Sequence, residues 1–229
     1  MDGMPSERRN EQPSVKPARR PELRLPPLRP YGSGELTPDG DYDGLLFEGT
    51  DLSYGEAAGA RFLDCSLEGC ALDETVLRNA RFIDTRLTGV RGVGTDLAGA
   101  SLRDVELVDA RLGGTQLHGA VLQRVVVRGG KVDCLNLRRA KLRDVVFEGV
   151  VLSEPDFGGA SLERVSFEGC TLEGADLTGV RLQDVDLRRV ARLDLARGAE
   201  ALAGAVIGTA QLLDLAPVFA AALGVRVED

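Results

Sequence analysis

From Leu45 to Val190 the chain repeats every five residues and never loses the frame. In "TDLAGASLRDVELVDARLGGTQLHGA" (95–120) a leucine falls at 97, 102, 107, 112 and 117, with Thr, Ala or Val two places before each. The same register can be followed from 47 to 187 through 29 positions, and Leu or Phe fills 25 of them; the exceptions are Ala57, Gly92, Val127 and Val132. An α-helix buries residues every 3.6 positions and a strand every second one. A period of five fits neither, and with no insertion over 29 units it is an internal repeat and not chance.

The flanking positions fill in the unit. Two residues before each centre the side chain is small, as at Ala60, Cys65, Cys70, Thr75 and Ala80, and two after it stands Gly or Asp, as at Gly69, Gly89, Gly99, Asp104 and Gly119. Glycine accepts a positive φ freely and Asp tolerates it better than most, so this position can turn a corner. "ARFLDCSLEGCALDETVLRNARFIDTRL" and "ADLTGVRLQDVDLRRV" resemble the pentapeptide-repeat family and its pattern A(D/N)LXX. The resemblance implies an all-β solenoid, a right-handed quadrilateral β-helix with four pentads to a coil. Each large centre then points inward, the small residue fills the space beside it, and residues 20 apart stack at ~4.8 Å. Twenty-nine pentads predict about seven coils and a rod of ~35 Å, with Phe62 against Phe82 and Phe147 against Phe167. The absence of tryptophan and an aromatic content of 4% agree with so narrow an interior.

Three segments follow. Residues 1–34 hold seven of the ten prolines and few large apolar residues, and are expected to be disordered or extended, as a Pro/Arg-rich arm. Residues 35–190 form the β-helix. In 191–229, "GTAQLLDLAPVFAAALGVRV" has apolar residues at helical spacing, and Pro217 predicts two short helices or one bent one, with Asp214 capping the second and Gly224 ending it. This segment is expected to cover an end of the solenoid that would otherwise expose unpaired strand edges. By the family resemblance it also forms a homodimer, with Leu212, Leu215, Phe219 and Leu223 as candidate cap and dimer residues.

No constellation of catalytic or ligating residues stands out. His118 is the one histidine and falls at a corner with no nucleophile placed beside it. Cys65, Cys70 and Cys170 occupy the small inward position and Cys134 a corner, with no second pair to complete a zinc set. Asp39, Asp41, Asp43 and Gly44 match the start of a calcium loop, but Thr50 replaces the bidentate Glu, and an Asp/Gly turn into the first coil is the preferred reading. The glycines of "GVGTDLAG" (92–99) are one centre and two corners of the repeat, not a phosphate loop. No enzyme, cofactor or metal is expected. Neither a secretory stretch nor a membrane-spanning run is visible, so the expectation is a soluble, cytoplasmic protein.

What remains is surface charge. The formal net charge is −8, made of +3 in residues 1–34 and −11 beyond them. An acidic body argues against nucleic acid as the direct ligand, because phosphate contacts need a basic surface. Two adjoining sides of the square carry −3 each, and their acids form the candidate interaction surface: Glu48, Asp51, Glu68, Asp73, Glu74, Glu106, Asp109, Glu148, Glu154, Glu168 and Glu173. Arginines beside Asp64, Asp84, Asp104 and Asp184 are expected to relieve repulsion within the acidic columns. The residues thus indicate a non-enzymatic solenoid that binds a protein partner through acidic faces. The resemblance adds an alternative: family members that mimic DNA bind DNA gyrase or topoisomerase IV and confer quinolone or toxin resistance.

Overall fold

The computed structural model describes residues 15–32 and 34–228. Its strands are parallel, and through the repeat each pairs with the one 20 residues further on: Phe62 lies opposite Phe82, Leu102 opposite Leu122, and Phe147 opposite Phe167. The strands Arg81–Thr88, Ser101–Val108, Val121–Arg128, Lys141–Glu148 and Ser161–Glu168 each cover two sides of the square, centred on the Phe62 and Leu67 columns. A second ladder of three-residue strands, such as Arg111–Gly113 and Lys131–Asp133, makes the Leu72 side. Single bridges, such as Asp96 to Gln116, tie the Leu77 side.

The corner positions adopt the left-handed conformation that the sequence pattern calls for. Asp64, Asp84, Asp104, Asp144 and Asp184 have φ between 48° and 58° along one corner. The ring planes of Phe62 and Phe82 stack at 4.7 Å and 3°, and those of Phe147 and Phe167 at 4.8 Å and 2°. Register and stacking are therefore those of a parallel β-solenoid plugged along its axis.

The rod has about nine turns, two more than the pentad count predicts. At the N-terminal end the short strand Arg29–Pro30 pairs with Leu45–Leu46, and Asp41–Asp43 pairs with Arg61–Leu63. Tyr31 stacks on Phe47 at 4.2 Å, and Tyr42 on Phe62 at 4.9 Å, closing the apolar axis with aromatic rings. At the other end one extra residue slips the frame, so that Leu172 faces Leu193 instead of residue 192. The coil then continues to Ala205–Val206, which pairs with Val185–Asp186. Neither end matches the repeat pattern, and both still extend the ladder.

A single α-helix, Thr209–Ala222, closes the C-terminal end. It replaces the expected pair or bent helix, and its first turn is held by the Gly208 N–H donating to Gln211 Oε1 at 2.7 Å, so Asp214 caps nothing. Pro217 lies inside it, where its ring removes the bond to the Leu213 carbonyl without breaking the helix. Gln211 Nε2 donates to the carbonyls of Arg188 and Val190, at 3.2 Å each, and Leu215 is buried. Gly224, with φ 71°, ends the helix as expected. No described helix is long and apolar enough to cross a membrane.

One defect interrupts the axis. Gly92 takes a centre position with no side chain, and a Cβ there would lie 2.8 Å from the Leu72 carbonyl carbon. An apolar cavity of about 80 Å³ runs along the interior past Leu87, Leu97, Leu102, Leu107 and Leu112, five of the six centres that are only half-buried. Thr75 and Thr95 donate to the carbonyls of Leu52 and Leu72, 23 residues earlier, at 2.9 and 2.7 Å. Thr115, for which that offset would give Gly92, leaves its buried hydroxyl without a protein partner among the described residues.

Residues 15–32 are extended and lie against the outside of the rod; 1–14 of the expected arm fall outside the described residues. Its half-buried positions are Val15, Ala18 and Pro21, then Leu23, Leu25, Leu28 and Tyr31. A spacing of three is that of a polyproline II strand, which keeps one edge on a surface. Lys16 N–H donates to Asp184 at 3.2 Å, Arg19 N–H to Asp144 at 3.1 Å, and Arg29 N–H to the Gly44 carbonyl at 2.9 Å. The arm therefore runs antiparallel to the direction of coil growth, from the eighth coil back to the first.

Candidate interaction faces

The two sides expected to be acidic differ in what covers them. On the Leu67 side, Glu48 stacks on Glu68 and Glu148 on Glu168 in the ladder register. Arg128 Nε lies 2.7 Å from Glu148, Arg86 Nε 2.9 Å from Glu106, and from the arm Arg20 Nη2 reaches Glu148 at 2.5 Å. Burial pushes the Glu148 carboxyl up, but the two arginines outweigh it and hold it below its ordinary value.

The corner between the Phe62 and Leu67 sides carries its charges in alternation: Asp104, Arg124, Asp144, Arg164, Asp184. Arg124 clasps Asp104 with two bonds of 2.5 Å, and Arg164 clasps Asp144 at 2.6 and 2.8 Å. Arg164 also pairs with Glu163. The bonds from Arg164, helped by the Arg19 N–H, hold the Asp144 carboxyl below its ordinary range despite its burial. Relief of repulsion thus comes mainly from the arginine one coil away; the expected neighbour within the pentad is at 3.9 Å for Arg103 and Asp104. Where no arginine alternates, repulsion persists. Burial first, and then Asp104 and Asp64, push the Asp84 carboxyl up.

The Leu72 side carries Asp51, Asp73 and Glu173, with Glu74 and Glu154 at its far corner and Asp109 at the corner shared with the Leu67 side. Asp51 accepts the Ser53 N–H at 3.1 Å and Asp73 the Val93 N–H at 2.9 Å, so both brace the backbone. Glu173 pairs with Arg192 at 3.1 Å. Glu74, Asp109 and Glu154 are exposed and make no ion pair among the described residues, and the same holds for Glu48 and Glu68 on the Leu67 side. The acidic candidates therefore do not form one patch. Glu106, Glu148 and Glu173 are neutralised internally, while Glu48, Glu68, Glu74, Asp109 and Glu154 remain available to a partner.

The other candidates fall where the repeat puts them. Cys65, Cys70 and Cys170 are buried, and burial pushes the Cys65 thiol up to about 11. Cys134 is exposed at a left-handed corner and His118 is exposed. Asp41 and Asp43 lie on the outer face of a strand, with Arg61 at 3.3 Å from Asp41. Among the described residues no group of three His, Cys, Asp or Glu is gathered as metal ligands would be. On the terminal helix Leu215 is buried and Phe219 packs on the core, whereas Leu212 is 49% and Leu223 79% exposed. Leu213 joins them on the outside, a residue the spacing argument did not single out.

Comparison with known proteins locates the chain among others built this way. The profile of a pentapeptide repeat region matches residues 60–137, and that of pentapeptide repeats in eight copies matches 134–169 and 156–190. No curated protein matches. The full-length QnrB1 structure, a plasmid-mediated fluoroquinolone resistance protein, is 17% identical, with 81% of this chain and 96% of that one covered at a TM-score of 0.38. HetL, a protein of heterocyst differentiation regulation from the cyanobacterium Nostoc, is 22% identical, with 74% and 90% covered at a TM-score of 0.28.

Proposed function

Since this chain belongs to the pentapeptide-repeat family, we propose that it is a non-enzymatic solenoid that binds a protein partner through its acidic outer faces. The observation that carries this reading is the set of exposed, unpaired carboxylates Glu74, Asp109 and Glu154 on an uncovered wall. Glu74 and Glu154 lie four coils apart on one corner and Asp109 on the other, and the backbone ladder fixes their separations, so the three charges are presented without the entropy cost of ordering their backbone. Charges so placed steer association and make it sensitive to salt.

A type II topoisomerase is the partner that the family resemblance brings forward. Charge density speaks against mimicry of DNA along the whole rod. A duplex of ~35 Å carries roughly 20 negative charges, whereas residues 45–189 hold 18 basic against 23 acidic side chains. The test measures gyrase supercoiling and binding of the purified chain at two salt concentrations, beside capture of other partners. The triple variant Glu74→Lys, Asp109→Lys, Glu154→Lys is expected to bind its partner at least ~10-fold more weakly. A partner held equally well by that variant would overturn the acidic-face reading, and turnover abolished by His118→Ala would replace it with an enzymatic one.

The proposal includes a homodimer formed through the terminal helix, supported by the exposed Leu212, Leu213 and Leu223 beside buried Leu215. Light scattering is expected to give twice the chain mass, and Leu212→Glu with Leu223→Glu the monomer mass. A monomer in the unaltered chain removes this part.

A further inference from the structure

On the Leu67 side, residues 66, 86, 106, 126 and 146 point outward by strand alternation. Outward valines elsewhere are open, Val121 at 42% and Val93 at 65% exposed, yet Val126 is 3% and Val146 2% exposed, and Ser66 is buried as well. The arm's contacts at Asp144 and Glu148 bracket Val146, so the segment 15–30 passes over this strip. The strip combines apolar side chains with the carboxylates of Asp144, Glu148 and Asp184, and what lies in it is basic: Lys16, Arg19, Arg20, Arg24 and Arg29 against Glu22.

The manner of attachment is unlike the rest of the fold. Between Lys16 and Leu28 only the amides of Lys16 and Arg19 are bonded to the rod among the described residues, and both donate to side-chain carboxylates. The backbone groups of the strip are already used in the ladder between coils, so the arm adds no strand there. A prolyl-rich segment with few donors, held by apolar contact and charge, is a ligand seated on a finished surface.

We propose that this strip is a docking site for an extended, basic, proline-containing peptide of another protein, with residues 15–30 as the resident ligand that such a peptide displaces. The inference rests on the reading that the acidic walls take a protein partner, and it names the chemistry of that partner. Covalent tethering gives the resident segment an effective concentration in the millimolar range. A competing peptide therefore binds strongly only when the arm is weakened or when the partner also engages the open Leu72 side.

The probe is a fluorescein-labelled peptide of sequence VKPARRPELRLPPLRP, titrated into the full chain and followed by anisotropy. The full chain carrying Arg20→Glu, Leu23→Asp and Leu25→Asp, changes confined to the arm, is expected to bind it at least ~10-fold more tightly than the unaltered chain. Adding Glu148→Gln, which removes the carboxylate without supplying a partner for the altered residue 20, is expected to remove most of that gain. Equal binding to both chains, binding to neither, or equal binding of a peptide of scrambled order would each overturn the proposal. If the peptide fails while the Glu74, Asp109 and Glu154 reversals still weaken the partner, the strip alone is wrong. If it binds while those reversals change nothing, the strip stands and the open wall is not the contact.

Discussion

Gly130→Ala is expected to destabilise the chain by about 4 kcal/mol, a fall in the unfolding midpoint of roughly 10 °C for a protein of this size. Gly130 occupies the small inward position directly after Gly129, and both have positive φ, 77° and 62°. A Cβ on Gly130 would lie 2.1 Å from the Ala110 carbonyl oxygen and 2.7 Å from its nitrogen. Those are backbone atoms of the coil beneath, so relief requires parting two coils where Lys131 N–H bonds Ala110 O at 2.9 Å. Gly149→Ala is the control. Its φ of 60° carries the same left-handed penalty of ~1–2 kcal/mol, but nothing lies within 4 Å of the added carbon. Equal losses in the two variants, measured by calorimetry, would show that close approach between coils is not what requires glycine at 130.

Phe167→Ala is expected to cost about 3–5 kcal/mol in urea unfolding, because a stacked ring is removed from an axis that cannot collapse sideways. Phe167 is 2% exposed, lies parallel to Phe147 and meets Phe157 edge-on at 6.3 Å. Phe167→Leu should cost only ~1 kcal/mol, since leucine is the ordinary occupant of a centre and fills most of the volume. In a double-mutant cycle with Phe147→Ala, the stacked pair should show a coupling of ~1 kcal/mol. Strict additivity would mean that the rings fill space without interacting.

The coil was legible because each pentad repeats the same three physical tasks, filling the axis, packing beside it and turning the corner. Leu97, Asp104 and Ala120 each announce their place by type. The ends were not legible because their residues perform those tasks out of frame. Tyr31 and Leu36 belong to the core, yet they follow a proline-rich run whose composition reads as unable to bury surface. Leu193 is a buried centre displaced by one inserted residue, and Leu195 is a buried leucine opposite the small inward Ala175, neither of which a strict count of five finds. The acidic columns were visible as sums over sides, but pairing across coils was not. Arg124 meets Asp104 because the ladder places them 20 residues apart, and only the ladder reveals which acids are left over. The arm's path had one readable sign, the apolar residues Val15, Ala18, Pro21, Leu23, Leu25 and Leu28 among its basic residues, a rhythm too short to stand out from a linker.

A stack of coils touching only their neighbours behaves as a row of separate springs, each free to open at its own end. Between Lys16 and Arg29 the arm crosses seven coil steps, ~34 Å at strand spacing, with 13 residues that reach ~40 Å in the polyproline form. It acts as a tie-rod with little slack. Tension along the axis, or fraying that starts at Tyr31, is transmitted directly to the coil that holds Asp184. A rod braced in this way should stiffen against bending away from the arm and yield more readily towards it.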